Sequence, residues 1–153
     1  MENNERIKDL ILNGEFDEIK GLLNMSDTDR LEGMLMALAY EDTGNITPYF
    51  FINNLILEDE SAELHAIASA LMSGPFCWMK GAYRLGMEHM KKAIELDTEN
   101  PSYKQGILLF NIIPERLLSD NEALKYAKQI IAINPEDVTA IETIKDINRA
   151  RNR

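Results

Sequence analysis

Residues 119–149 read SDNEALKYAKQIIAINPEDVTAIETIKDINR. Ala123, Leu124, Ala127 and Ile131 form an apolar stripe at helical spacing. After the Asn134-Pro135 step, Val138, Ile141, Ile144 and Ile147 recur every three residues. Ala140 widens that second stripe, and Glu142, Lys145, Asp146 and Arg149 fall on its wet face. Ser119 and Glu122 have capping-box spacing and start the first helix. Asn134-Pro135 reads as the start of the second, because proline at the first helical position loses no needed hydrogen bond and the asparagine oxygen can cap an orphan N–H. The pattern is two short helices joined by a short turn.

Working outward, the same punctuation recurs. Thr47-Pro48 and Asn100-Pro101 read as helix starts, while Pro75 after Gly74 and Pro114 after Ile113 read as stops. Ile7, Leu10 and Ile11 form a stripe before Gly14; Phe16, Ile19, Leu22 and Leu23 form one after it; Tyr83, Met87, Met90 and Ile94 form another. These marks predict helices near 2–13, 15–24, 28–42, 47–57, 60–73, 80–96, 102–113, 120–133 and 136–149. The aromatic, β-branched run 49–56 has a strand-like composition, but its Thr-Pro start and its length favour a helix. An all-α chain is expected.

The length of 153 residues fits one domain, 1–153, and 45% apolar with 27% charged residues supplies an ordinary core and shell. With 26 acidic and 16 basic residues the net charge is −10, which disfavours nucleic acid and anionic membranes as partners. The longest uncharged runs, 43–57 and 66–79, fall short of the roughly 20 apolar residues of a membrane span. The first sixteen residues interleave charges with apolar side chains, unlike a signal peptide. Cys77 is the only cysteine and suits a reducing compartment, so a cytoplasmic location is expected.

Few residues point to chemistry. His65 and His89 lie on different predicted helices, Glu88-His89 is not a zinc-binding HExxH pair, and no further ligand follows at metal spacing. Cys77 beside Trp78 could act as a nucleophile, but a buried inert thiol is the simpler reading. The eight glycines are scattered and form no phosphate loop, and Met34, Met36, Met72, Met79, Met87 and Met90 read as core packing. No catalytic residue, metal or cofactor is expected.

Charge is unevenly placed. Residues 1–75 hold 15 acids and 4 bases, a net −11, whereas residues 76–153 hold 11 acids and 12 bases, a net +1. Acidic pairs before a helix can simply complement its positive end. The functional alternative is a docking face for a positively charged protein. Its candidate residues are Tyr40, Glu41, Asp42, Tyr49, Phe50, Glu58, Asp59, Glu60 and Glu63, with Phe51 as a further aromatic anchor.

Residues 80–101, KGAYRLGMEHMKKAIELDTENP, and 120–137, DNEALKYAKQIIAINPED, resemble the second helix of a tetratricopeptide repeat. Gly86, Met90 and Ala93 take its small, large and small positions; Ala123, Ala127 and Ile130 take them again with Pro135 following. Ala93 and Ile130 are 37 residues apart, against a standard repeat of about 34. Asn13-Gly14-Glu15-Phe16-Asp17 resembles the turn inside such a hairpin, and Arg149 to Arg153 give the polar end that a terminal helix needs. The resemblance implies a right-handed, helical-hairpin α-solenoid of about eight or nine short helices. Residues 106–131, GILLFNIIPERLLSDNEALKYAKQII, are similar to helical-repeat immunity proteins that neutralise bacterial toxins. A solenoid without catalytic groups most often binds another polypeptide, so a non-catalytic protein-interaction module is expected, with a monomer favoured; the likeness makes it most specifically an acidic immunity protein that blocks a basic, nuclease-type toxin. The alternative is an adaptor or chaperone that holds a client polypeptide in a groove lined by Lys104, Asn111, Arg116 and Asn148.

Overall fold

The computed structural model describes residues 2–24 and 26–153, which form helices and turns with no strand among them. The helices are α1 (Glu2–Asn13), α2 (Thr28–Glu41), α3 (Thr47–Glu58), α4 (Ala62–Ser73), α5 (Ala82–Leu96), α6 (Pro101–Ile107), α7 (Leu109–Ile112), α8 (Asp120–Ile133) and α9 (Val138–Arg151). This all-α arrangement of short helices is compatible with a helical repeat, as expected. Backbone contacts divide the chain into two compact units, 1–89 and 90–153, with α5 contributing to each.

In the first unit, α3 packs on α1, α2 and α4, and α2 also packs on α4. Ile7, Ile11, Leu31, Leu35, Phe51, Ile52, Leu71, Met72 and Phe76 are fully buried there. Each large apolar side chain removed from water contributes about 1.5–3 kcal/mol. Phe51 therefore belongs to the core, its ring 5.2 Å from that of Phe16, and is not the surface anchor expected of it.

Gly14 ends α1 in the left-handed region, at φ 76°. The Glu15 N–H reaches the Leu10 carbonyl and the Gly14 N–H that of Ile11, the paired bonds that close a helix end. The expected helix 15–24 does not follow. A 3-10 turn at Phe16–Glu18 and successive tight turns occupy the segment instead. Ten residues containing Gly21 make a marginal helix, and the turns already bury Ile19 and Leu23.

The capping grammar is partly shifted. At α3 the oxygen that caps is Asn45 Oδ1, which accepts from the Thr47 N–H (3.1 Å) and hydroxyl (2.7 Å); Thr47 itself is helical. Ser61 caps α4, and Pro75 and Pro114 fall just beyond the ends of α4 and α7.

In the second unit, α8 packs on α9 and on α6, burying Ala93, Tyr103, Ile107, Phe110, Leu118, Ala123, Ala127, Ile130, Ala140 and Ile147. Ser119 and Glu122 form the expected capping box. Asn100 caps α6 as expected. Asn134-Pro135, however, makes the turn after α8, and the cap of α9 is Asp137, whose Oδ1 accepts from the Ala140 N–H at 2.8 Å. Gln105 donates to the other Asp137 oxygen, tying α6 to the start of α9. Val138 is 65% exposed, outside the expected apolar stripe, because it opens the first turn.

Candidate functional site

The nine candidate docking residues all lie in the first unit, but α3 separates them into two groups. Its twelve residues span about 18 Å at 1.5 Å per residue. Tyr40, Glu41 and Asp42 close α2 just before α3 begins, and Tyr49 and Phe50 lie in the first turn of α3. Glu58, Asp59, Glu60 and Glu63 surround its other end, at the turn into α4.

In the first group Tyr40 is 60% and Phe50 53% exposed. Asp42 Oδ1 accepts from the Gly44 N–H at 3.0 Å and so shapes the α2–α3 turn. Tyr49 is half-buried and turned inward.

The second group is better organised. A groove of about 290 Å³ is lined by Thr28, Leu55, Glu58, Asp59, Ser61 and Leu64. Leu55 and Leu64 are buried and form an apolar floor, while Glu58 and Asp59 are exposed at the rim. Lys20 already donates to Glu58 and, at 3.3 Å, to Asp17; these carboxylates, Glu58 first, hold its ammonium pKa above the usual lysine value. The rim thus binds an ammonium within the chain itself. The charge follows the same division: residues 1–89 hold 16 acids and 6 bases, and residues 90–153 hold 10 of each, so the first unit carries −10 and the second is neutral.

A second arrangement was not foreseen. The two histidines on different helices meet: His65 Nδ1 and His89 Nδ1 are 2.9 Å apart. His65 Nε2 lies 2.9 Å from Glu60 Oε1, and His89 Nε2 lies 2.9 Å from the Tyr49 hydroxyl. Tyr49, His89, His65 and Glu60 therefore form one hydrogen-bonded chain joining α3, α5, α4 and the α3–α4 turn. His65 is buried, and burial together with neighbouring His65 lowers His89 to about 4. Burial raises the Tyr49 phenol, which keeps its proton at neutral pH. The signal for this cluster was present in the periodicity. His89 shares a helical face with Ala82, Gly86 and Ala93, all buried, and His65 shares one with Ala62, Ser69 and Met72.

Cys77 is half-buried rather than part of the core, and its neighbour Trp78 is 61% exposed, its indole N–H donating to the Thr43 carbonyl at 3.1 Å. Two of the four expected groove residues of the second unit build structure instead. Asn111 is buried and donates to the Leu118 carbonyl and Asp120, and Arg116 donates to Asp120 at 2.7 Å. The cleft of that unit lies elsewhere, about 440 Å³ lined by Asn121, Leu124, Lys125, Lys128, Gln129 and Arg151.

Among the described residues no group of three or more His, Cys, Asp and Glu side chains is placed to hold a metal ion, and no helix is long and apolar enough to cross a membrane. Comparison with protein-family models and with curated proteins gives no match.

Proposed function

We propose that the chain is a non-catalytic protein-interaction module whose first unit receives a basic partner at the α3–α4 turn. The observation that carries this reading is the groove with a leucine floor and a carboxylate rim, set in a unit of net charge −10. A Lys or Arg side chain has the matching form, an apolar stem with a charged tip. Exposed ion pairs contribute only about 0.2–1 kcal/mol each. Affinity therefore comes chiefly from Leu57, 86% exposed beside the rim, while the charge field sets the rate of capture and the choice of partner. The most specific form of the reading is a tetratricopeptide-like immunity protein, acting in the cytoplasm, that covers the cleft of a basic nuclease toxin with carboxylates in place of phosphates.

The test is the association rate of a Lys- and Arg-rich peptide, and of a basic nuclease domain, with wild type and with a Glu58→Lys, Asp59→Lys variant. Glu60 is left in place because it holds His65. In low salt the variant should associate at least tenfold more slowly, with a flatter salt dependence. Equal rates in the two proteins would refute the site.

The cleft of the second unit supports a second reading, an adaptor that holds an acidic client segment. Lys125, Lys128 and Arg151 give that cleft the opposite sign. An acidic peptide that binds wild type and not a Lys125→Glu, Lys128→Glu variant would favour it.

A further inference from the structure

The chain Tyr49, His89, His65, Glu60 has a proton arithmetic fixed by its geometry. Glu60 as a carboxylate accepts from His65 Nε2–H, so a neutral His65 is an acceptor at Nδ1. His89 must then donate from Nδ1 and accept at Nε2, where the Tyr49 hydroxyl donates. All three contacts are satisfied with both rings neutral.

One added proton enters at His89 Nε2. That nitrogen becomes a donor, and the half-buried Tyr49 hydroxyl becomes its acceptor by turning its own hydrogen away. The Nδ1 atoms still share a single hydrogen, whichever ring carries the charge, and Glu60 balances it. A second proton has no such place: both Nδ1 atoms would carry hydrogens facing each other across 2.9 Å. We propose that this chain is an acid-operated latch, which accepts one proton by reversing its Tyr49 bond and parts between His65 and His89 when a second arrives, releasing the start of α5 from α4.

Among the described residues, the titratable groups hydrogen-bonded to the two rings are Tyr49 from α3 and Glu60 from the α3–α4 turn. Glu63 and Glu88, on α4 and α5 near the rings, are exposed to solvent. Burial first, and the neighbouring His65 second, lower His89, and the second of these causes agrees with a pair that resists double charging. A consequence, which rests on the docking reading, is that opening loosens the groove, because Glu60 and Ser61 continue the turn that carries Glu58 and Asp59.

The test is an imidazole nitrogen NMR titration of the full chain from about pH 7.5 to about pH 4, with amide exchange followed in parallel. The expected result is one proton per histidine pair with the shared Nδ1 hydrogen retained. That hydrogen should then be lost together with at least a tenfold rise in exchange near residues 62–66 and 82–89. His89→Gln, whose amide can still donate to His65 but cannot take the proton, should show no such rise. Glu60→Gln, which keeps an acceptor and removes the countercharge, should move the first uptake to lower pH by half a unit or more. Two independent titrations near 6.5, or a His89→Gln protein that opens like wild type, would overturn the latch. Should His89→Gln fail to fold, an unmoved titration in Glu60→Gln would overturn it equally. Binding of a Lys-rich peptide at about pH 5 to wild type and His89→Gln separates the two ideas, since the Glu58 and Asp59 rim is the same in both. A peptide that binds neither protein even at pH 7 refutes the docking site and leaves the NMR result to judge the latch.

Discussion

A Cβ placed on Gly74 would lie 2.9 Å from the Ala70 carbonyl oxygen and 3.0 Å from the Tyr40 hydroxyl. The first of these is backbone and cannot move aside without disturbing the end of α4. Gly74→Ala should cost about 1–3 kcal/mol, read from the urea midpoint. Gly33 is the contrast: it lies within α2 with nothing within 4 Å of its would-be Cβ. Gly33→Ala should stabilise by roughly 0.5–1 kcal/mol, because alanine loses less chain entropy in a helix. Arg116 holds a φ of 44°, a left-handed conformation that glycine adopts freely, while its guanidinium pairs with Asp120. Both Arg116→Gly and Arg116→Ala lose that exposed pair. The glycine variant should therefore be the more stable of the two by roughly 1 kcal/mol; equal stabilities would show that the backbone there relaxes on substitution.

At the scale of elements, caps decide where helices begin. Ser119→Ala should cost about 1 kcal/mol, since it removes an oxygen that accepts from the Glu122 N–H and one half of a capping box. Thermal unfolding of that variant against wild type measures it. Most helix ends were legible in the sequence because Pro, Asn, Ser and Gly act through their own backbone geometry, which needs no tertiary partner. Ser119, Asn100 and Pro114 illustrate this. Asn134 was misread for a local reason as well. Asn-Pro fits a turn as readily as a helix start, and the competing cap Asp137 won because its second oxygen also receives Gln105 from α6. Such a partner, 32 residues away, is invisible to spacing. Residues 15–24 failed differently: the apolar spacing of Ile19 and Leu23 marks burial, and burial was achieved with turns. The docking candidates were legible as residue types but not as a surface. Only the direction of α3 separates Glu41 and Asp42 from Glu58 and Asp59. The histidine chain depends on three helices and a turn meeting, so the sequence offered only the face on which each ring would lie.

The molecule as a whole divides by charge and by response to acid. His89 in the first unit has a folded value of about 4 against an ordinary 6.5, so between those values the unfolded chain binds more protons than the folded one. Stability from this group is thus complete above about 6.5 and lost as pH falls toward 4. After discounting for its partial exposure, the loss is of order 1–2 kcal/mol. In the second unit, hydrogen bonds, first from Asn111 to Asp120 and from Ser119 to Glu122, hold these carboxylates below their ordinary values of 3.8 and 4.5. Their contribution persists above those values and is lost only at lower pH. On acidification, amide exchange should therefore rise in residues 62–89 before it rises in residues 120–151. The reverse order would contradict the assignment of the acid response to the first unit.

In the proposed function the α3–α4 turn receives basic side chains. Amide NMR of the full chain, titrated with an Arg- and Lys-rich peptide in low salt at pH 7, tests it most directly. Shifts concentrated on residues 55–64, with Thr28 included and the α8–α9 cleft unmoved, are the predicted result. Shifts spread evenly over every exposed carboxylate, or confined to the second unit, would contradict it.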